Sequence, residues 1–198
     1  MVAALAPALS AHDPALAGHA ARVTDLAARL AAWLDWDDAN LYSIYLGGPL
    51  HDIGKVAVSE AILRKPGPLD EHELAEIRTH PTAGAKLIDQ VGSAGEALPF
   101  ILYHHERWDG RGYPTGLRGA DIPEGARILA VADAFDAMTS TRPYRRALPV
   151  ERALGEIDRC AGTQFDPAMA RAFLEAWEAG ALGPPTAWTR HRASRATV

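Results

Sequence analysis

The sequence predicts an all-α protein, built as a single compact helical domain with one long loop. Apolar residues recur at helical intervals in most segments, and alternating strand patterns are nearly absent. With 198 residues, the chain has the length of one ordinary domain. Cys160 is its only cysteine, so no internal disulfide can form and the apolar core must hold the domain together.

Charge and composition exclude several classes of partner. The net charge of -5 argues against a general affinity for nucleic acid polymers or anionic membranes. No run of about 18 apolar residues occurs, so we expect no membrane-spanning helix. The opening MVAALAPALSA is interrupted by Pro7 and has no basic residue before Arg22, so we interpret it as an arm rather than a signal peptide. Because one cysteine needs no oxidising compartment, we expect a cytoplasmic location.

Two helices are expected in the first quarter of the chain. From residue 18 to about residue 36, apolar side chains form one helix face that includes His19. A second helix is expected from about residue 38 to residue 54, where a glycine can take the left-handed conformation that ends helices. His51 and Asp52 would then lie in its last turn.

The next helices follow a turn at KPGPL. Asp70 and Glu73 match an N-cap and its reciprocal partner, which predicts a helix running to about Thr79, with His80 at its end. Pro81 disfavours helical geometry at His80 and favours a new helix over about 82–91. The resulting bend allows His80 to point inward.

The second half contains the longest predicted loop. The apolar segment ALPFILYHH brings His104 and His105 to the start of this glycine-rich loop, and long loops in compact domains usually have a function. A helix from Glu124 then carries Asp133 within an otherwise apolar run. A carboxylate buried there requires a partner.

Two more helices complete the prediction. Pro149 is suited to open the first and Gly162 to close it, whereas Asp166 and Pro167 match an N-cap and a first helical position. The expected division of the chain is an N-terminal arm or short helix over 1–12, the domain over 13–180 and a flexible C-terminal tail over 181–198.

Histidines and aspartates recur in short motifs along these helices. The candidate metal ligands are His19, His51, Asp52, His80, His104, His105 and Asp133. They offer nitrogen and oxygen atoms but no thiolate, a mixture expected for a hydrolytic iron, manganese or zinc centre. Taken alone, His19 could instead be a hydrogen-bonded core residue, and Asp133 a buried cap or salt-bridge partner.

The motifs together resemble the HD-GYP domain family, a branch of the HD superfamily of metal-dependent phosphohydrolases. In the family's order they are DPALAGHAARV, LHDIGK, AILRKPGPL, THPTAG, HHERWDGRGYP, ILAVADAFDAMTSTRPYR and GTQFDP. A lone His-Asp pair would be weak support, but HHE followed by GYP and TSTRPYR is specific. The resemblance implies a helical HD-type domain in which the long loop is the GYP loop.

The resemblance also implies a centre of two divalent metal ions, about 3.5–4 Å apart and bridged by Asp52. His19, His51 and Asp133 would complete one ion's shell, and His80, His104 and His105 the other's. Iron is the expected metal, with manganese, zinc, cobalt and nickel as alternatives. Family members with three metals carry a glutamate where this sequence has Ala15, so we predict two.

The implied reaction is hydrolysis of cyclic di-GMP to pGpG, and in some members further to GMP, by a hydroxide activated between the ions. Asp52 and Lys55 are the implied catalytic residues, with Lys55 stabilising charge on the phosphate. Arg142, Arg145 and Tyr113 are the implied substrate contacts. Without the resemblance, the two arginines could equally be solvated surface residues.

Three further residues have expected supporting roles. Asp136 is predicted to accept a hydrogen bond from a metal ligand or an arginine. Glu106 and Asp109 are predicted to brace the loop. Family members usually attach a sensor or receiver module, but only about a dozen residues precede Asp13, so we expect regulation from elsewhere or a domain that acts alone.

Two other functions remain open from the sequence. The domain could sense cyclic di-GMP, or dock a diguanylate cyclase through the GYP loop, with little turnover; the full ligand set argues against this. It could also hydrolyse a different nucleotide, which the HHE and GYP segments disfavour. The sequence predicts no particular oligomeric state, because an apolar helix face can pack against its own domain or a second copy.

Overall fold

The computed structural model describes residues 14–90, 95–141 and 146–183. Within these ranges the chain is helical and forms no β-strand, which confirms the predicted all-α class. The predicted arm over 1–12 and nearly all of the predicted tail lie outside the described residues. The α-helices are α1 (Pro14–Trp33), α2 (Asp38–Gly47), α3 (Glu60–Leu63), α4 (Glu71–Ile77), α5 (His80–Asp89), α6 (Leu98–Tyr103), α7 (Glu124–Thr139), α8 (Val150–Arg159) and α9 (Pro167–Glu178).

The core lies between α1 and α7, with α8 and α9 packed around this pair. Val23 and Leu30 on α1, and Ile128 and Val131 on α7, have no exposed surface. Burial of each such side chain contributes about 1.5–3 kcal/mol relative to leaving it in water. The two helices are therefore a firm support for any polar side chain that they carry at one end of the core.

The second predicted helix is shorter than expected. Helix α2 ends at Gly47 and is followed by two 3-10 turns, Gly48–Leu50 and Ile53–Ala57. The prediction of one helix to residue 54 was wrong because Pro49 has no N–H and its ring clashes with the preceding turn of an α-helix. His51 and Asp52 consequently lie between the two 3-10 turns, not in the last turn of a helix.

Gly54 has a different role from the predicted helix end. A Cβ atom at this position would lie 1.8 Å from the carbonyl oxygen of His80, which is backbone and cannot rotate away. Gly54 therefore permits the close approach of the second 3-10 turn to the start of α5. This approach brings the His51-Asp52 segment beside His80.

Helix α4 begins as predicted. The backbone N–H of Glu73 donates to the Asp70 carboxylate at 2.9 Å, and the N–H of Asp70 donates to the Glu73 carboxylate at 2.8 Å. Helix α5 begins at His80, two residues earlier than predicted, so Pro81 lies in its first turn, where no N–H is needed. The short helix α3 was not predicted.

The last two helices also follow the predicted signals. Helix α8 ends at Arg159, and Gly162 takes a left-handed conformation with φ of 77° in the turn that follows. The Asp166 side chain accepts a hydrogen bond from the N–H of Ala168 at 2.7 Å and caps α9. None of the helices in the described ranges combines the length and the apolar character needed to cross a membrane.

Candidate metal centre

The predicted ligand side chains converge at one end of the α1–α7 core. They come from α1, the segment between the first two 3-10 turns, the start of α5, the residues after α6, and α7. Their potential ligand atoms form two groups, each with all atoms within 4.8 Å of one another. One group is Asp52, His80, His104 and His105, and the other is His19, His51 and Asp133.

Asp52 lies between the two groups and turns one carboxylate oxygen towards each. Its Oδ1 is 3.3 Å from Nε2 of His80 and 3.8 Å from Nε2 of His104. Its Oδ2 is 3.4 Å from Nε2 of His51 and 4.0 Å from Nε2 of His19. The residue is 4 % exposed, so this carboxylate is shielded from water.

Three of the histidine rings are oriented in the same way. Nδ1 of His51 lies 2.7 Å from the Gly48 carbonyl oxygen, Nδ1 of His80 lies 2.7 Å from that of Ile77, and Nδ1 of His104 lies 3.0 Å from that of Ile101. A carbonyl oxygen only accepts, so Nδ1 must carry the proton in each ring. When Nε2 carries no proton, each ring presents the lone pair of this atom to the cluster.

His19 is oriented by a carboxylate instead of a carbonyl group. Its Nδ1 lies 2.7 Å from Oδ2 of Asp136, and Nε of Arg22 donates to Oδ1 of Asp136 at 2.5 Å. Arg22 and Ser140 also donate to Oδ2 of Asp136. The predicted role of Asp136 as an acceptor for a candidate ligand and an arginine is confirmed. Sequence reasoning missed Arg22, although it lies one turn after His19 on α1.

The charge states differ between the two groups. Burial lowers the pKa of His80, lowers that of His104 further, and lowers the pKa of His105 to about 3. Burial alone would lower the pKa of His19 too, but contacts with Asp133 and Asp136 outweigh it and raise this pKa to about 9. In the metal-free protein, a proton on His19 therefore lies where a cation would bind.

Asp52 remains ionised in this environment. Burial would raise its pKa, but the positive charges of Lys55 and His51 hold the pKa of this carboxyl well below its usual range. Nζ of Lys55 donates to Oδ2 of Asp52 at 2.5 Å. The predicted catalytic lysine thus contacts the carboxylate that joins the two groups.

The cluster fits the binding of metal ions. Nε2 of His51 and Oδ1 of Asp52 are buried and have no hydrogen-bond partner among the described residues. Buried polar atoms without a partner are destabilising, and a cation would use both lone pairs. The nitrogen and oxygen ligands suit iron, manganese, zinc, cobalt or nickel.

The long loop, which connects α6 to a third 3-10 turn at Gly119–Asp121, folds back on its own beginning. Oε1 of Glu106 accepts hydrogen bonds from the backbone of Thr115 and Gly116, and Arg107 pairs with Asp109 through two N–H groups. The predicted bracing roles of Glu106 and Asp109 are confirmed.

Tyr113 is placed beside the cluster by this loop. Its ring stacks on that of His105, with centroids 4.8 Å apart and an angle of 28° between the planes. On the same ring, the guanidinium carbon of Arg78 lies 5.7 Å from the centroid. Sequence reasoning missed Arg78, and no local pattern indicates that it meets Tyr113. Arg142 and Arg145, the other predicted substrate contacts, lie outside the described residues.

Comparison with known proteins gives curated relatives at substantial identity. The chain is 40% identical over 159 residues to a cyclic di-GMP phosphodiesterase of Thermotoga maritima, covering 79% of this chain and 43% of the relative. It is 38% identical over 177 residues to a cyclic di-GMP phosphodiesterase response regulator of Xanthomonas campestris, covering 86% and 46%. It is 39% identical over 170 residues to 3'3'-cGAMP-specific phosphodiesterase 3 of Vibrio cholerae, covering 84% and 36%. The chain thus spans less than half the length of these relatives.

Solved structures share the fold. An HDGYP protein from Bdellovibrio bacteriovorus matches with a TM-score of 0.66 at 23% identity, covering 81% of this chain and 51% of that one. A cyclic GMP-AMP-specific phosphodiesterase of Vibrio cholerae matches with a TM-score of 0.62 at 19% identity, covering 87% and 47%. The pattern of the HD domain family matches residues 3–169, a range that includes all seven clustered side chains. Because this match covers more than half of the chain, the chain belongs to the HD domain family.

Proposed function

We propose that this domain is a metal-dependent phosphodiesterase that hydrolyses cyclic di-GMP to pGpG. The observation that carries the proposal is the position of Asp52, which turns one oxygen to each of two ligand groups. Relatives that are 38–40% identical to this chain have the name cyclic di-GMP phosphodiesterase, which supports the choice of substrate.

The proposed centre holds two divalent ions, with iron as the first candidate and manganese, zinc, cobalt and nickel as alternatives. Asp52 would bind both ions. His19, His51 and Asp133 would complete one set of ligands, and His80, His104 and His105 the other. When bound, such a pair of cations lowers the pKa of water and offsets the charge of the phosphate.

The protein's own side chains would prepare the site for this chemistry. The carbonyl groups that fix the rings of His51, His80 and His104 keep each Nε2 lone pair aimed at the cluster without reorganisation during the reaction. Lys55 would donate to a phosphate oxygen once the bound cations compete for Asp52. Tyr113, packed on His105, would line the site and contact the substrate.

Arg142 and Arg145 are part of the same proposal, as contacts to the substrate phosphates. Their support is the resemblance of the TSTRPYR segment to the family motif, together with the match between guanidinium and phosphate geometry. A cytoplasmic location and docking of a diguanylate cyclase on the long loop stay predictions. The single cysteine supports the first of these.

The test is a hydrolysis assay on protein purified without oxygen and loaded with Fe²⁺ or Mn²⁺. We expect wild-type protein to convert cyclic di-GMP to pGpG, and Asp52→Asn to lose at least about a hundredfold in rate together with bound metal. Asp158→Asn is the matched control, because Asp158 is exposed on α8. Full hydrolysis by Asp52→Asn would refute the proposal.

A second candidate substrate is 3'3'-cGAMP. The observation that favours it is the relative named for this substrate, which is as similar to the chain as those named for cyclic di-GMP. Both cyclic dinucleotides present the same phosphodiester to a metal centre and differ in one base. A comparison of kcat/KM for the two substrates separates the candidates, and we expect the larger value for cyclic di-GMP.

A further inference from the structure

Arg78 lies at the edge of the candidate metal centre on a fixed backbone. It follows the last residue of α4, and its N–H donates to the carbonyl oxygen of Leu74 at 3.0 Å. Two residues later, His80 is fully buried in the cluster and is oriented by the carbonyl of Ile77. The backbone on both sides of Arg78 is therefore held in place, so its side chain starts from a defined point beside the candidate ligands.

The Arg78 side chain is exposed and lies over Tyr113. Its guanidinium carbon is 5.7 Å from the centroid of a ring that itself stacks on His105. A cation in this position gains about 0.5–1 kcal/mol from the ring at an exposed site. The contact restrains the guanidinium group one aromatic ring away from the candidate ligands.

The positive charge of Arg78 is available to a ligand. In the described part of the chain, no carboxylate lies within ion-pair distance of it. The arginines that support the fold are different, since Arg22 pairs with Asp136, Arg107 with Asp109 and Arg127 with Asp166. A charge that lies against the Tyr113 ring and is not neutralised by a carboxylate suits the binding of an anion.

A cyclic dinucleotide carries two phosphodiester groups on opposite sides of its macrocycle. When one of them is at the metal centre, the other must lie nearby, and its charge requires a partner. A planar guanidinium group offers two parallel N–H donors that match two phosphate oxygens. We propose that Arg78 binds the second, non-reacting phosphodiester of the substrate. This inference rests on the proposed phosphodiesterase function.

The kinetic test uses Arg78→Ala and Arg78→Lys. Loss of a contact that is equally strong in the ground state and the transition state raises KM and leaves kcat unchanged. We expect Arg78→Ala to raise KM for cyclic di-GMP about tenfold, with kcat within about twofold of wild type and metal content unchanged. Arg78→Lys keeps the charge but loses the paired donors, so its KM should lie between that of wild type and that of Arg78→Ala.

The matched control is Arg171→Ala. Arg171 is exposed on α9, a helix that packs against α1, α7 and α8. Its removal changes the net charge by the same amount, so KM should remain at the wild-type value. An equal rise of KM in both variants would show a general charge effect and would overturn the inference.

A comparison of substrates tests which part of the ligand is bound. Because cyclic di-GMP and 3'3'-cGAMP share the phosphodiester, Arg78→Ala should raise KM for both by the same factor. A rise for one substrate alone would indicate a base contact and would contradict the assignment. A fall in kcat with no change in KM would also contradict it, since the residue would then act on the reacting group.

Equilibrium binding separates this inference from the proposed function. Calorimetric titration of cyclic di-GMP into metal-loaded protein gives a Kd that does not depend on turnover, and we expect Arg78→Ala to weaken it about tenfold. If wild-type protein binds without hydrolysis, the proposed function fails while the Kd ratio still decides the role of Arg78. Normal hydrolysis with an unchanged KM and Kd in Arg78→Ala would overturn the inference alone.

Discussion

At the scale of single residues, the site depends on how each ring nitrogen of its histidines is occupied. Backbone carbonyls hold Nδ1 of His51, His80 and His104, so three Nε2 atoms face the cluster without any further side chain. His19 has no such carbonyl and depends on the Asp136 carboxylate. The group around His19 is therefore the one that a side-chain substitution can loosen.

Asp136→Asn should weaken metal binding in one half of the centre. The asparagine side chain can accept from either Arg22 or His19 but lacks the charge that fixes the His19 ring, so we expect metal affinity to fall about 10–100-fold for one ion of two. Competition with a chelator and metal analysis measure this. Asp158→Asn serves again as the control, and equal affinity in both variants and the wild type would contradict the role given to Asp136.

The ligand residues could be identified from the sequence, whereas their geometry could not. The HD, HHE and VADAFD segments indicate which side chains gather, because few other patterns combine these residues in this order. The orientation of the Asp52 carboxylate, with each oxygen towards different histidines, depends on how α1, α5 and α7 pack together. Arg78 was missed for the same reason: its partner Tyr113 lies on a loop whose path is set by tertiary contacts.

At the scale of elements, Gly54 and Gly155 differ in how closely other atoms pack against the backbone. The second 3-10 turn touches the start of α5 at Gly54, where a Cβ would lie 1.8 Å from the His80 carbonyl oxygen. Gly155 on α8 is the opposite case, since a Cβ there would meet nothing within 4 Å. The predicted role of Gly54 as a helix end was wrong, because no local pattern reveals that this residue meets another element.

Gly54→Ala should lower the free energy of unfolding by about 3 kcal/mol or more, because two backbone segments must separate. It should also weaken metal binding, since the displaced segments carry Asp52 and His80. Gly155→Ala should stabilise the protein by about 0.5–1 kcal/mol, as expected for an exposed helix position. Urea unfolding of the metal-free variants measures both values, and equal stability of the two would contradict the close approach.

The Arg107–Asp109 pair in the long loop predicts how the free energy of unfolding depends on pH. Hydrogen bonds from Arg107 lower the pKa of Asp109 to about 2, below its ordinary value of 3.8. Between these values the unfolded chain binds more protons, so this stabilisation is present above about pH 4 and is lost as the pH falls towards 2. Asp109→Asn should cost at most about 1 kcal/mol at pH 6, because the pair is partly exposed to solvent.

The difference in unfolding free energy between wild-type protein and Asp109→Asn should therefore shrink as the pH is lowered from 6 to 3. Denaturant titrations of the metal-free proteins give this difference directly, without interference from metal release. A difference that stayed constant over this range would show that the Asp109 carboxylate titrates normally in the folded protein.

At the scale of the whole molecule, the candidate centre joins parts of the chain that are distant in sequence. Helices α1 and α7 form the core, while the His51-Asp52 segment, α5 and the residues after α6 pack beside them. Metal ions held by all of these elements would bind the folded state and not the unfolded chain. Their binding free energy would then add to the stability of the fold.

Removal of metal by a chelator should lower the melting temperature of wild-type protein. At a free metal concentration of about 100 times Kd, the stabilisation that is lost is about 2.7 kcal/mol for each site. Asp52→Asn should melt at nearly the same temperature with and without chelator. Scanning calorimetry provides the comparison. A wild-type melting temperature that does not change when chelator is added would contradict a metal centre that joins these elements.

The most direct test of the central claim is anomalous diffraction from crystals of metal-loaded protein at the absorption edge of the bound metal. The account predicts two peaks within the cluster, one beside His19, His51 and Asp133 and the other beside His80, His104 and His105, with the Asp52 carboxylate between them. A single peak, or peaks that lie away from Asp52, would contradict it.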